Sequence, residues 1–165
     1  MASNVQKLVR NNPHFSEEVE AHCQELLNST ALNQSPINDT IRAYAIDDAD
    51  TKDVDDAIAI EKFDDYFVLH VLITDAAALI PLQSVLGEEA KKRGNTLYLP
   101  DGRVPMLPRV LSEGILSLGE GKSNQVLDFR IALTADFRPY DMRIELMRVP
   151  NIRSISYARA DQILA

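Results

Sequence analysis

The stretch IDDADTKDVDDAIAIEKFDDYFVLHVLITD, residues 46–75, decides how the chain is read. Its first part packs six aspartates, Asp47, Asp48, Asp50, Asp53, Asp55 and Asp56, into ten residues and then runs directly into AIAIEKF. That run and YFVLHVLIT are both rich in β-formers. Between them stands Asp64-Asp65, a turn-type pair, so the two runs predict a β-hairpin, though without the glycine that would make the signal strongest. A two-residue turn at 64–65 sets Asp56 opposite Ile73 and position 54 opposite Asp75. It therefore brings Asp75 to the same end of the hairpin as the acidic run.

Working outward, Ile41 to Ile46 form an apolar lead-in, preceded by the polar, Pro36-containing stretch STALNQSPINDT at 29–40, which reads as a linker. Before it, Ser16 followed by Glu17, Glu18 and Glu20 supplies an N-cap hydroxyl and carboxylates at the positive end of a helix reaching about Asn28, with Val19, Cys23 and Leu26 on its packing face. Residues 1–40 are accordingly expected to be a helical connector and linker, and 41–165 the main domain. Downstream, Ser84, Glu88-Glu89, Lys91-Lys92-Arg93 and Gly94 give a second helix with start and stop signals. The stretch from Pro100 to Leu118, with Pro105 and Pro108 and no clear period, is expected to be an irregular loop. Val126 to Leu133 and Asp141 to Arg148 predict another hairpin across Phe137-Arg138-Pro139. Its second strand alternates Met142, Ile144 and Leu146 with Arg143 and Glu145, as on a half-buried surface. A last helix starts at Ser156, and its Ile163 and Leu164 point to a missing packing partner. The expected fold class is α+β: a mainly antiparallel sheet of two hairpins with flanking helices and an acidic loop at one sheet end.

Composition narrows the function. At 165 residues and 45% hydrophobic content, one compact core is the default, and it would bury roughly two-thirds of the unfolded surface. No stretch approaches the ~20 apolar residues of a membrane span, and no continuous apolar segment stands near Met1 to serve as a signal peptide. The single cysteine, Cys23, cannot form an internal disulfide and reads as a core thiol. The expected location is cytoplasmic. A formal charge of −8 looks wrong for a nucleic-acid binder, but residues 47–65 alone contribute −7 of it and the remainder is almost balanced.

Carboxylates this dense repel one another and raise each other's pKa unless a cation or hydrogen bonds compensate. A hard divalent ion is the natural compensation. Mg²⁺ prefers an oxygen octahedron with one or two carboxylates and otherwise water or phosphate, and a two-ion phosphodiester site needs about four carboxylates from close turns. The bland alternative is a solvated acidic loop, the usual fate of a charge run; against it, Asp55 and Asp56 abut a core strand. An EF-hand loop begun at Asp48 would put Lys52 at the third ligand position and Asp53 where glycine is required, and so fails. Asp53-Val54-Asp55 is too short to be evidence of a phosphotransfer or sugar-nucleotide Asp-x-Asp motif.

The pattern Asp47-x5-Asp53-x-Asp55-Asp56 within IDDADTKDVDDAI closely resembles the signature of the catalytic (RNB) domain of the ribonuclease II family. LHVLITDAA at 69–77 resembles the family's hydrophobic strand ending in Asp. EEAKKRGNTLYLPDGRVPMLP at 88–108 resembles its long linking segment, and LSEGILSL at 111–118 continues it. The likeness spans about residues 42–158, with one departure at Leu116, where relatives often carry Cys.

The resemblance implies a 3′-to-5′ exoribonuclease that hydrolyses single-stranded RNA to nucleoside 5′-monophosphates through a Mg²⁺-activated water. By motif match Asp47, Asp53 and Asp56 would ligate metal, and Asp55 would hold a second ion or orient the attacking water. Tyr98, in the YLP motif, would stack on a base near the scissile end, although a lone Tyr on a short strand is otherwise a core residue. The family also implies upstream cold-shock-like domains, a C-terminal OB-fold domain and a second half of the catalytic domain that supplies an arginine. None is in this sequence, so the portion is expected to be inactive alone. A non-catalytic RNA- or metal-binding remnant is the alternative, and a Ca²⁺-binding loop a distant third. No membrane and no obligate protein partner are expected. His70, inside an apolar strand, reads as a hydrogen-bonded core histidine, and His14 and His22 carry little functional weight. Lys91, Lys92 and Arg93 suit either phosphate or the negative end of their own helix.

Overall fold

The computed structural model describes residues 14–28, 35–100 and 102–165. Parts of the expected connector and linker, residues 1–13 and 29–34, lie outside the described residues, as does Asp101 in the expected loop.

The acidic hairpin organises the sheet. β1 (Ala43–Asp47), β2 (Asp56–Lys62) and β3 (Tyr66–Thr74) join β6 (Asn124–Thr134), β7 (Pro139–Val149) and β8 (Ile152–Ser156) in a six-stranded sheet of order β7-β6-β3-β2-β1-β8. The β2–β3 register is the one the two-residue turn requires, with Asp56 opposite Ile73 and Lys62 opposite Phe67. The second hairpin, β6–β7, also forms as expected. Every neighbouring pair is antiparallel except β1 and β8, which run parallel from Ala43 opposite Ile152 to Asp47 opposite Ser156. That parallel strand was not among the expected elements. A further short hairpin pairs β4 (Leu97–Leu99), just before the stretch expected to be irregular, with β5 (Gly102–Val104) inside it, and a five-residue π-helical segment at Leu111–Ile115 lies in the same stretch.

Among the described residues four helices flank the sheet. α1 (Glu17–Leu27) is capped by Ser16, whose hydroxyl accepts from the Val19 amide. α2 (Ala76–Leu79) is capped by Asp75, α3 (Val85–Arg93) runs from the Ser84 cap to Gly94 at φ 78°, and α4 (Tyr157–Leu164) is capped by Ser156. One apolar cluster lies on the sheet, with Ala43, Ala45, Ala57, Leu72, Val126, Val149 and Ile152 buried. A second joins Val19 and Cys23 of α1 to Leu79, Leu86, Leu107 and Leu111. Each fully buried leucine there contributes on the order of 1.5–3 kcal/mol. Burial, reinforced by Glu20, pushes the Cys23 thiol up, as befits a core residue. Arg93 belongs to the same architecture: its guanidinium lies 3.9 Å from the Phe15 ring, donates to the His14 carbonyl at 2.9 Å and to Glu89 on its own helix at 2.8 Å, so it ties α3 to the segment that leads into α1, while Lys91 and Lys92 face solvent.

The other sheet face is apolar and open among the described residues. A row from Ile144 through Phe129, Val71 and Ile58 to Tyr44 crosses five strands. Met142, Ile144 and Leu146 are 58%, 54% and 53% exposed, so the half-buried surface expected for β7 is not observed. The alternation is present, but no described layer covers it. Ile163 and Leu164 of α4 are exposed beside the same face.

Candidate active site

The acidic loop, residues 48–55, bridges β1 to β2 at one end of the sheet, and its backbone is fastened from below. Val54 turns its side chain into the sheet core. Its amide donates to Ser117 Oγ at 3.0 Å, that hydroxyl donates to the Lys52 carbonyl at 2.8 Å, and the Leu118 amide donates to the Val54 carbonyl at 2.8 Å. The Thr74 amide donates to the Asp55 carbonyl at 2.9 Å, and Thr74 Oγ1 donates to the Leu116 carbonyl at 2.6 Å. With Val54 drawn inward, its neighbours Asp53 and Asp55 face the opposite way. They line a cleft of about 520 Å³ together with Asp47, Asp48, Asp50, Asp56, Tyr98 and Arg103.

The five residues singled out in the sequence, Asp47, Asp53, Asp55, Asp56 and Tyr98, therefore share one cleft. Asp75 reaches the same end of the sheet but is spent on structure: buried, it accepts from the Ala78 amide at 3.2 Å to cap α2. Tyr98 is 71% exposed, so it is not a core residue, and its hydroxyl donates to Asp53 at 3.3 Å. A second cleft of about 410 Å³, lined by Asn95, Thr96, Met106 and Ser112, shares the Asp53, Asp55 and Tyr98 wall.

Charge is unevenly compensated. Desolvation raises the Asp47 and Asp55 carboxyl pKa values, and neighbouring aspartates push them further, chiefly Asp56 on Asp47 and Asp53 on Asp55. At Asp53 a cation is already in place: Arg103 Nη1 donates to both of its oxygens at 3.0 Å. Tyr98 and Arg103 stand opposite each other across β4–β5, and this short hairpin delivers both to the cleft. Desolvation and the Asp53 charge together push the Tyr98 hydroxyl pKa up.

As the side chains stand, no three acidic, histidine or cysteine groups among the described residues converge on one point as ligands to an ion would. The donor chemistry nonetheless fits a hard divalent cation: the cleft is lined by closely spaced carboxylate oxygens, burial and neighbouring aspartates raise the pKa of two of these groups, Asp47 and Asp55, and a guanidinium stands in as the positive charge at Asp53. Arg103, Ser117 and Thr74 carry no functional signal of their own in the sequence: they lie in segments that resemble the family, but nothing local in composition marks their reach to the acidic loop.

Comparison with known proteins places these features in context. The RNB domain matches residues 37–165. Exoribonuclease 2 of Aeromonas hydrophila is 40% identical over 113 residues, covering 68% of this chain and 16% of that protein. Ribonuclease R of Mycoplasmopsis pulmonis is 40% identical over 114 residues, covering 69% of this chain and 15% of that protein. The structure of Mycoplasma genitalium RNase R in complex with double-stranded RNA superposes with a TM-score of 0.83 at 26% identity, covering 92% of this chain and 27% of that one. The chain thus spans about a sixth of the length of the curated relatives it matches.

Proposed function

Because this chain belongs to the RNB domain family of exoribonucleases, we propose that its acidic cleft is the hydrolytic site of a 3′-to-5′ exoribonuclease that releases nucleoside 5′-monophosphates from single-stranded RNA. The observation that carries this reading is the convergence of Asp47, Asp53, Asp55 and Asp56 on one cleft with an exposed tyrosine at its rim. Asp47, Asp53 and Asp56 offer carboxylate oxygens to Mg²⁺. Bound there, Mg²⁺ would neutralise phosphate charge and lower the pKa of a coordinated water. Asp55, whose proton affinity is already raised by burial and then by its neighbours, orients the attacking water and accepts its proton. Tyr98 offers a ring face to a base next to the scissile bond, a mode of recognition that tolerates any base. The RNA in the complex of the Mycoplasma genitalium relative supports RNA as the ligand.

Phosphoryl transfer needs cations around the phosphate in the transition state. Among the described residues the cleft wall carries two, Lys52 and Arg103, and Arg103 is engaged with Asp53. This portion alone is therefore expected to cleave RNA very slowly or not at all. The same ion pair favours the second reading, a module that retains metal or RNA affinity without catalysis. Incubation of 5′-labelled single-stranded RNA with the chain, in Mg²⁺ or EDTA and beside an Asp55→Asn variant, separates the two. A Mg²⁺-dependent ladder shortening from the 3′ end and missing in the variant supports the nuclease; RNA that is bound but intact in every lane supports the module.

A further inference from the structure

Arg103 is shared between two acids. Its Nη1 lies 3.0 Å from both oxygens of Asp53 and its Nη2 donates to Glu113. The three side chains are partly enclosed, at 20%, 17% and 25% exposure for Arg103, Asp53 and Glu113. Arg109 approaches Glu113 from the solvent side, with Nε at 3.6 Å and a side chain 62% exposed. A single nitrogen equidistant from two carboxylate oxygens sits on the bisector of the group, the position a chelated cation takes. Asp47, Asp55 and Asp56 make no side-chain hydrogen bond or ion pair among the described residues, so Asp53 is the one member of the set already neutralised.

We propose that Arg103 is a built-in counter-ion that competes with a divalent cation for Asp53, and that Glu113 is the acceptor that keeps the guanidinium when Asp53 turns to the cation. This deepens the metal reading of the cleft and rests on it. Both are positioning residues: Arg103 sets where Asp53 points, and Glu113 acts only through Arg103. In the cation-free state Arg103 offsets the repulsion within the loop. On cation binding the guanidinium stays beside the cleft on Glu113 with Nη1 released, so loading the site frees a positive donor next to the place where a phosphate would arrive.

The test is Mn²⁺ binding to the full chain, read from the free-ion EPR signal, for the wild type, Arg103→Met, Glu113→Gln, the double variant and Arg109→Met, with circular dichroism to follow folding. Arg103→Met is expected to tighten Mn²⁺ binding by about tenfold, the order of one half-buried ion pair removed. Glu113→Gln leaves the guanidinium on Asp53 alone and weakens binding several-fold, an effect that vanishes in the Arg103→Met background. Arg109→Met removes the same charge nearby and changes binding less than about twofold, as an exposed pair should. Binding that is unchanged or weaker in Arg103→Met, an equal gain in Arg109→Met, or a Glu113→Gln effect that persists without Arg103 overturns the competition while leaving the metal site standing. If Arg103→Met does not fold, Glu113→Gln decides alone, and unchanged or tighter binding there overturns the proposal. Absence of Mn²⁺ binding in every protein removes the metal reading and the competition with it.

Discussion

His70 Nδ1 lies 2.8 Å from Asp128 Oδ2, both side chains buried, so a buried hydrogen bond joins β3 to β6 under the sheet's core face. Nε2 of the same ring meets Glu61 on β2 at 3.2 Å, so three strands share one imidazole. The histidine is thus the hydrogen-bonded core residue expected from its strand.

Desolvation alone would lower the His70 pKa, but the hydrogen bond and charge of Asp128, followed by those of Glu61, outweigh it and hold the imidazole above its ordinary value. A folded-state pKa above the unfolded value of about 6.5 means that protonation stabilises the fold. This contribution is complete below about pH 6.5 and is lost as pH rises through the raised folded value. Urea unfolding of the wild type and Asp128→Asn across neutral pH should show a stability gap that is widest in mild acid and narrows toward alkaline pH. A gap independent of pH would show that the pair does not titrate with folding.

Ser117 is predicted to be the loop's fastener. Ser117→Ala strips the buried Val54 amide of its acceptor and the Lys52 carbonyl of its donor. An unsatisfied buried group costs ~1–3 kcal/mol. Hydrogen exchange at the Val54 amide should accelerate in step with the loss measured by urea unfolding; an unchanged exchange rate would mean that the loop is held elsewhere.

These residues also mark what was legible in the sequence. The β2–β3 hairpin was readable to the register, because a two-residue turn and two contiguous strands are local. The four aspartates were readable as a group because they fall within ten residues that run into a strand and match the signature of the family the chain resembles. The parallel strand β8 was not, since Ala43 meets Ile152 from the far end of the chain. Nor was the β4–β5 hairpin, whose strands are three residues each and followed by Pro105 and Pro108. Arg103 and Ser117 reach the acidic loop from 50 and 63 residues away, and no periodicity encodes such distances. The openness of β7 was hidden for a different reason: alternation reports which side is apolar, not whether anything covers it.

Gly87, in the first turn of α3, predicts a sharp steric effect. A Cβ there would stand 2.3 Å from the Pro81 carbonyl oxygen and 2.8 Å from that of Leu82, both backbone atoms that cannot swing aside. Gly87→Ala should cost at least ~1–3 kcal/mol, the range for overpacking. Gly114→Ala, whose Cβ meets nothing within 4 Å, should change stability by less than ~1 kcal/mol. Thermal or urea unfolding of the two variants side by side checks the contrast, and equal costs would contradict it.

Tyr98 offers the most direct test of RNA at the cleft. The ring is largely exposed and its hydroxyl is bonded to Asp53, which fixes one edge and leaves the faces open. Stacking on a base is worth ~1–3 kcal/mol, so Tyr98→Ala should weaken binding of a short oligoadenosine or oligouridine by about tenfold or more. Tyr98→Phe keeps the stacking face and loses only the hydrogen bond, so it should bind nearly as the wild type does. Measuring both by fluorescence anisotropy in EDTA separates the ring from any effect on metal. Similar losses for the two oligonucleotides would fit stacking, which reads a π-face and not an edge. If Tyr98→Phe loses as much as Tyr98→Ala, the hydroxyl's hold on Asp53 is what matters and the stacking role fails.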